Sequence, residues 1–252
     1  MLLEFVLQKP REWLLAHDTD PLSSEDAARF LTLAARRRQG VPMAHLIGWR
    51  EFMGHRFEVT PDVLIPRPET ELLVEVALKA IAKRPEPAVL DLGTGSGIVA
   101  ISLAKARPDA RVTATDLSLE ALCVAQRNAQ ALSVRVQWWQ GSWFLALPSE
   151  GRFDLIVSNP PYIASRDEHL SQGDLRFEPS LALTDGADGL SALAEIIHEA
   201  RERLLPGGSL WLEHGYDQAE RVRDMLAQSG FSGVQTHADL ATLPRVTGGV
   251  WT

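Results

Sequence analysis

From Ala88 to Glu213, short apolar runs alternate with stretches of helical period. Segments 89–92, 111–115, 134–138, 153–158 and 209–213 read as strands. Helices are expected between them: one ending near Arg107-Pro108, one over 119–132 capped by Ser118, and one over roughly 188–205. The last carries Leu190, Leu193, Ile197, Ala200 and Leu204 on one face and stops at Pro206-Gly207-Gly208. A further helix over 217–229 ends at Gly230, and segments 234–236 and 245–251 can supply two more strands. Such βαβ alternation implies a largely parallel sheet with helices on both faces.

The first part of the chain has a different texture. Residues 1–48 read as helical, split by Pro10, and Ser23-Ser24-Glu25-Asp26 has the form of a capping box. The helix it opens carries Ala27, Phe30, Leu31 and Ala34 on one side and ends in Arg36-Arg37-Arg38 before Gly40. Three arginines there suit the helix dipole. Residues 49–60 alternate around Gly54 as a β-hairpin would. Prolines at 66 and 68 forbid helix until Thr70, which is expected to cap a helix with Leu72, Leu73, Val76, Ala80 and Ile81 inward. Glu69 and Glu71 read as charges at that helix start, with Arg67 and Glu69 tying the N-terminal domain to the cofactor site. The division is therefore 1–48 helical, 49–66 a hairpin link, and 67–252 the α/β unit.

The 252 residues carry a net charge of −8, which argues against affinity built on phosphate contacts. Cys123 is the single cysteine and is expected to be a buried small hydrophobe, as Trp138 and Trp139 are expected in the core. The histidines show no zinc-binding spacing, so no metal is expected. The first residues lack the basic segment of a signal peptide, and no apolar run reaches the ~20 residues of a membrane helix. A cytoplasmic protein is expected.

Asp91-Leu92-Gly93-Thr94-Gly95-Ser96-Gly97 lies between the first strand and its helix. Glycines there allow a sharp turn and close approach of a ligand to the backbone. A dinucleotide site wants G-x-G-x-x-G, but the spacing here puts Ile98 where the last glycine belongs. Asp91 beside the loop would repel pyrophosphate and suits a cationic ligand instead. Asp116 ends the second strand, where a carboxylate can hold both ribose hydroxyls. Asp91, the loop and Asp116 together point to S-adenosyl-L-methionine, an adenosine bearing a sulfonium and an amino acid head.

The apolar strand over 153–158 runs into Asn159-Pro160-Pro161-Tyr162. Neither proline can donate to a sheet ladder, so the chain leaves the sheet there in a stiff shape, at the edge where open α/β sheets bind ligands. The Asn159 side-chain oxygen and the Pro160 carbonyl are two acceptors beside the Tyr162 ring. Together they suit a planar group bearing NH2, either an amide or a nucleobase amine.

On these motifs the sequence resembles the class I methyltransferases. More narrowly, it is similar to the family that methylates the glutamine side chain of bacterial peptide chain release factors. The likeness covers 65–71, the glycine loop, Gln126-Arg127-Asn128-Ala129, Ser158 to Ile163, Gly173-Asp174-Leu175-Arg176-Phe177-Glu178-Pro179 and Arg245-Val246-Thr247. The Asn-Pro-Pro-Tyr element is also shared with adenine N6 methyltransferases. The resemblance implies a Rossmann-like, mostly parallel seven-stranded sheet with a small helical N-terminal domain, shorter here at its start, that helps dock the release factor. It implies that Gly93, Thr94, Gly95, Ser96 and Gly97 hold the methionine part of the cofactor, and that Asp116, with Leu117 beside it, holds the ribose. Trp143 would cover the adenine, and Asn159, Pro160, Pro161 and Tyr162 would hold the glutamine of the Gly-Gly-Gln loop. The product would be S-adenosyl-L-homocysteine. The alternatives are an adenine N6 methyltransferase, which would need a basic groove or a base-reading domain, and a non-catalytic cofactor-binding scaffold.

Overall fold

A computed structural model describes residues 1–252. The chain begins with α1 (Leu2–Leu7), α2 (Arg11–Ala16), α3 (Ser24–Arg38) and α4 (Met43–Ile47). Ser23 caps α3 as expected: its Oγ accepts from the Asp26 N–H at 3.0 Å and donates to the Asp26 carboxylate at 2.7 Å. At the other end, the Arg37 guanidinium donates to the Val41 carbonyl (3.0 Å) and pairs with Asp174 (3.3 Å). Ala27, Phe30 and Ala34 are half-buried, but Leu31 is 65% exposed, because α3 packs mainly on the short helices α1 and α4. Strands β1 (Trp49–Phe52) and β2 (His55–Glu58) form the expected hairpin. Its Met53-Gly54 turn has positive φ at both residues, the type I′ geometry that matches strand twist.

The remainder alternates in the order α5 (Thr70–Ala80), β3 (Ala88–Leu92), α6 (Ile98–Ala106), β4 (Arg111–Asp116), α7 (Leu119–Ala131), β5 (Gln137–Gln140), β6 (Phe153–Ser158), α8 (Ser191–Arg203), β7 (Leu204–Glu213), α9 (Ala219–Gln228), β8 (Ser232–Ala238) and β9 (Pro244–Val250). These strands make one seven-stranded sheet in the order β5-β4-β3-β6-β7-β9-β8. Its first five strands pair parallel, and β9 runs antiparallel to both of its neighbours.

Side-chain alternation divides the sheet between two cores. Val89, Leu155 and Val157 join α5 and α6 in one apolar cluster. Leu90, Leu92 and Ile156 face the other way, into a cluster with α8 and α9. Both faces are covered, which is why these strands read as continuous apolar runs. A third cluster of Ala44, Val59, Val63, Ile65, Ala121 and Val124 fastens α4 and the chain beyond the hairpin onto α7.

Two expected core residues lie elsewhere. Cys123 is exposed, because α7 turns Ala121, Leu122, Val124 and Ala125 inward and leaves position 123 outside. Trp138 is half-buried but Trp139 is 41% exposed, because β5 is an edge strand and alternate residues face opposite sides. No helix is long and apolar enough to cross a membrane.

Candidate active site

The chain winds outward from β3 in both directions, so a crevice opens beyond the carboxyl ends of β3, β4 and β6, at the point where the strand order reverses. Register decides who meets there. Leu92 lies opposite both Thr115 and Ser158, and Ser158 opposite Leu212. The next residues along each strand are Gly93, Asp116, Asn159 and Glu213, which are thereby brought side by side. A cleft of about 480 Å³ fills this crevice, within the ~300–1,000 Å³ range of small-molecule sites.

The glycine loop forms its floor. Gly93 has φ +68, and a Cβ there would sit 3.1 Å from the Trp143 ring. A side chain at Gly97 would strike Ile101 and Ala125, where α6 and α7 pack close. Gly95 faces open space. Two carboxylates brace the loop. Asp91 is buried and accepts from the Thr94 hydroxyl (2.7 Å) and the Ala100 N–H (3.1 Å). Burial pushes its pKa up to about 7 against those bonds. Asp116 accepts from the Gly95 N–H (2.8 Å) and the Ser118 N–H (2.9 Å), and burial raises its pKa as well. Asn128 ties the loop to the hairpin, donating to the Ser96 carbonyl (2.9 Å) and accepting from the Glu58 N–H (2.6 Å).

The cleft walls are acidic. Asp62, Asp91, Asp116, Glu120, Asp185 and Glu195 line them, with no lysine, arginine or histidine. Such a lining repels phosphate and favours a cation, which fits the sulfonium and ammonium of S-adenosyl-L-methionine and does not fit a dinucleotide. It also opposes a polyanionic substrate. Leu117, Trp143, Asn159 and Pro161 line the same cleft.

Asn159 also lines a second, smaller cavity of about 90 Å³ together with Arg67, Pro160 and Tyr162. The Asn159 Nδ2 donates to the Thr70 hydroxyl at 3.1 Å. That bond leaves the Asn159 Oδ1 free, and neither it nor the Pro160 carbonyl accepts a hydrogen bond from the chain. Tyr162 packs against the α8–α9 core, with its hydroxyl 3.4 Å from a Glu213 carboxylate oxygen. Burial and that acid raise the phenol above the ordinary tyrosine range.

One expectation is corrected here. Thr70 is fully buried and its side chain does not cap α5; its hydroxyl goes to Asn159 instead. Arg67 pairs with Glu178, a buried carboxylate that also accepts from the Ile65 N–H at 2.9 Å. Of the two acids near the helix start, Glu71 accepts from the Met53 N–H at 2.7 Å and so holds the hairpin turn. Sequence reasoning overlooked Thr70 and Glu213 as site residues. The available signal was an acid closing an apolar strand, Leu210-Trp211-Leu212-Glu213, at the same sheet edge as Asp91.

Comparison with known proteins shows the family of the chain. Residues 68–175 match the methyltransferase small domain family, and residues 1–48 match the PrmC N-terminal domain family. The chain is 59% identical over 249 residues to the release factor glutamine methyltransferase of Bordetella pertussis, covering 99% of this chain and 92% of that one. It is 52% identical over 255 residues to the release factor glutamine methyltransferase of Burkholderia pseudomallei, covering 99% and 90%. Among solved structures, a methyltransferase from Pyrococcus furiosus shares the fold, with a TM-score of 0.60 over 90% of this chain and 98% of that one, at 21% identity.

Proposed function

Because the chain belongs to the release factor glutamine methyltransferase family, its enzymatic activity is methylation of a release-factor glutamine, and we propose how its residues perform it. The donor is S-adenosyl-L-methionine, the target is the side-chain N5 of the glutamine in a Gly-Gly-Gln loop, and S-adenosyl-L-homocysteine is left behind. Bound in the acidic cleft, the donor supplies an electrophilic methyl group on a sulfonium. Asp91, Gly93, Thr94, Gly95, Ser96 and Gly97 hold its amino acid part, Asp116 and Leu117 its ribose, and Trp143 its adenine.

The observation that carries the assignment of the acceptor is the orientation of Asn159. Thr70 occupies its NH2, so its carbonyl oxygen is left for a ligand, beside the unpaired carbonyl of Pro160. An amide nitrogen is a poor nucleophile, because its lone pair is shared with the carbonyl. Two preorganised acceptors for its N–H groups would align the nitrogen and stabilise the positive charge that grows there as the N–C bond forms. One N–H proton is then lost to water, so no strong base is needed. Pro161 keeps the bend stiff, and Tyr162 supplies a ring against the amide plane.

We further propose that residues 1–48 dock the release factor, that 49–66 are a link and 67–252 the catalytic unit. A protein acting on release factors works in the cytoplasm. The test is labelled methyl transfer to purified release factor, comparing the natural glutamine with a Gln-to-Ala change in its Gly-Gly-Gln loop. Label should appear only on the former. Asn159→Ala should lose about 10²-fold or more in turnover, as removal of one oxyanion-hole donor does, while adenosylhomocysteine affinity survives. A variant within threefold of wild type would remove Asn159 from the role.

A further inference from the structure

Glu213 closes β7 beside Asn159 and is 1% exposed. A buried carboxylate is costly unless it has work or partners. One of its oxygens lies 3.4 Å from the Tyr162 hydroxyl, and the other is buried without a hydrogen bond of good geometry. Nearby stands Thr70, also fully buried, whose hydroxyl oxygen already accepts the Asn159 NH2. That hydroxyl has a single proton to give. With the oxygen committed to Asn159, the proton is free to point at Glu213, and Thr70 hydrogen bonding is among the influences that oppose the effect of burial on this acid.

We infer that Glu213 is a positioning residue for methyl transfer. It orients the Thr70 hydroxyl and the Tyr162 ring, and through Thr70 it fixes which end of the Asn159 amide faces the substrate. This rests on the reading of Asn159 as the acceptor for the glutamine amide. The two ends of an asparagine amide are nearly the same shape, so packing alone selects poorly between them; hydrogen bonds must. With Glu213 ionised, Thr70 is a donor toward the acid and an acceptor toward Asn159. The Asn159 NH2 then points at Thr70 and its oxygen at the ligand. If that chain is broken, the amide can turn over and present N–H groups to the N–H groups of the glutamine, donor against donor.

The charged and titratable groups facing Glu213 are Arg245 from β9, Glu69 ahead of α5, and Tyr162. Burial and Glu69 hold its proton on, while Thr70, Arg245 and Tyr162 pull the other way; the balance lies at about 7. Turnover at saturating S-adenosyl-L-methionine should therefore rise with pH through about 7, as the carboxylate that orients Thr70 is formed.

The test uses the full chain with purified release factor. Glu213→Gln keeps the shape and removes the charge. Thr70→Val removes the hydroxyl, and Thr70→Ser restores it. Glu213→Gln should lower kcat about tenfold, the scale of one hydrogen bond to a charged group. Its KM for S-adenosyl-L-methionine and its affinity for adenosylhomocysteine should stay within twofold, and it should lack the rise of kcat through neutral pH. Thr70→Val should fall at least as far, with Thr70→Ser recovering most of the loss. Glu213→Gln with wild-type kcat and pH profile overturns the proposal. So does loss of adenosylhomocysteine affinity in step with kcat, which marks a general structural defect. Asn159→Ala separates the two levels. If it is slow while Glu213→Gln is normal, only the role of Glu213 falls; if it is fast, the reading of Asn159 falls with it.

Discussion

At Gly93 the backbone is left-handed (φ +68), and a Cβ would lie 3.1 Å from the Trp143 ring, close enough that the ring must shift slightly. Both constraints act on one residue, and they act where the cofactor is proposed to lie. Gly93→Ala should cost about 1–2 kcal/mol from left-handed strain alone. The larger effect should be on binding, because Trp143 must retreat and the cleft floor must rise. Adenosylhomocysteine affinity measured by calorimetry should drop more than folding stability does. An equal or smaller drop would mean that the indole is free to move. Gly95, which faces open space, carries the strain without the clash, and alanine there should be milder in its packing effect.

The elements around the cleft are joined by a few polar bonds across large sequence distances. Glu178 is the clearest case. It lies in a loop beyond β6, yet its buried carboxylate takes Arg67 on one oxygen and the Ile65 N–H on the other. That fixes the proline-flanked segment ahead of α5 against the loop that carries Pro179 and Leu181 to the cleft wall. Removing one partner of a buried pair leaves the other charge uncompensated, at a cost of ~3–5 kcal/mol, whereas replacing both is far milder. Arg67→Met should therefore lower the denaturant midpoint strongly, and Arg67→Met with Glu178→Gln should recover much of the loss. Additive losses in the double variant would show that the pair is no unit. Asn128 does the same for the hairpin, binding both Glu58 backbone groups and the Ser96 carbonyl. The Gln126-Arg127-Asn128-Ala129 motif was legible as a family resemblance, but its physical use, a clip between β2 and the glycine loop, required the folded chain.

For the molecule as a whole, two buried acids at one sheet edge set a pH dependence of stability. Asp91 and Glu213 both titrate near 7 in the fold, against ordinary values of 3.8 and 4.5. A raised carboxyl pKa means the folded state binds more protons than the unfolded one across that window. The stability each group contributes is whole below its ordinary value and is lost as pH rises toward about 7. Buried His214 and half-buried His45 and His237 are shifted downward by desolvation and act in the opposite sense up to their ordinary 6.5. A difference measurement isolates one acid. Relative to wild type, ligand-free Glu213→Gln should gain stability from pH 5 to about pH 7 in urea unfolding and level off above it. A constant difference would mean that Glu213 titrates normally. The sequence by itself determined the strand and helix alternation, the glycine loop and the Asn-Pro-Pro-Tyr bend, because these depend on hydrophobic period, on φ > 0 and on proline's missing donor, all local properties. It misjudged Cys123 and Trp139, whose exposure follows from which side of α7 and of an edge strand they occupy. It read Thr70 as a cap because a cap is the local use of threonine. Only the tertiary structure decided that Thr70, Asn159 and Glu213 meet, because parallel register, not sequence distance, sets which strand ends are neighbours.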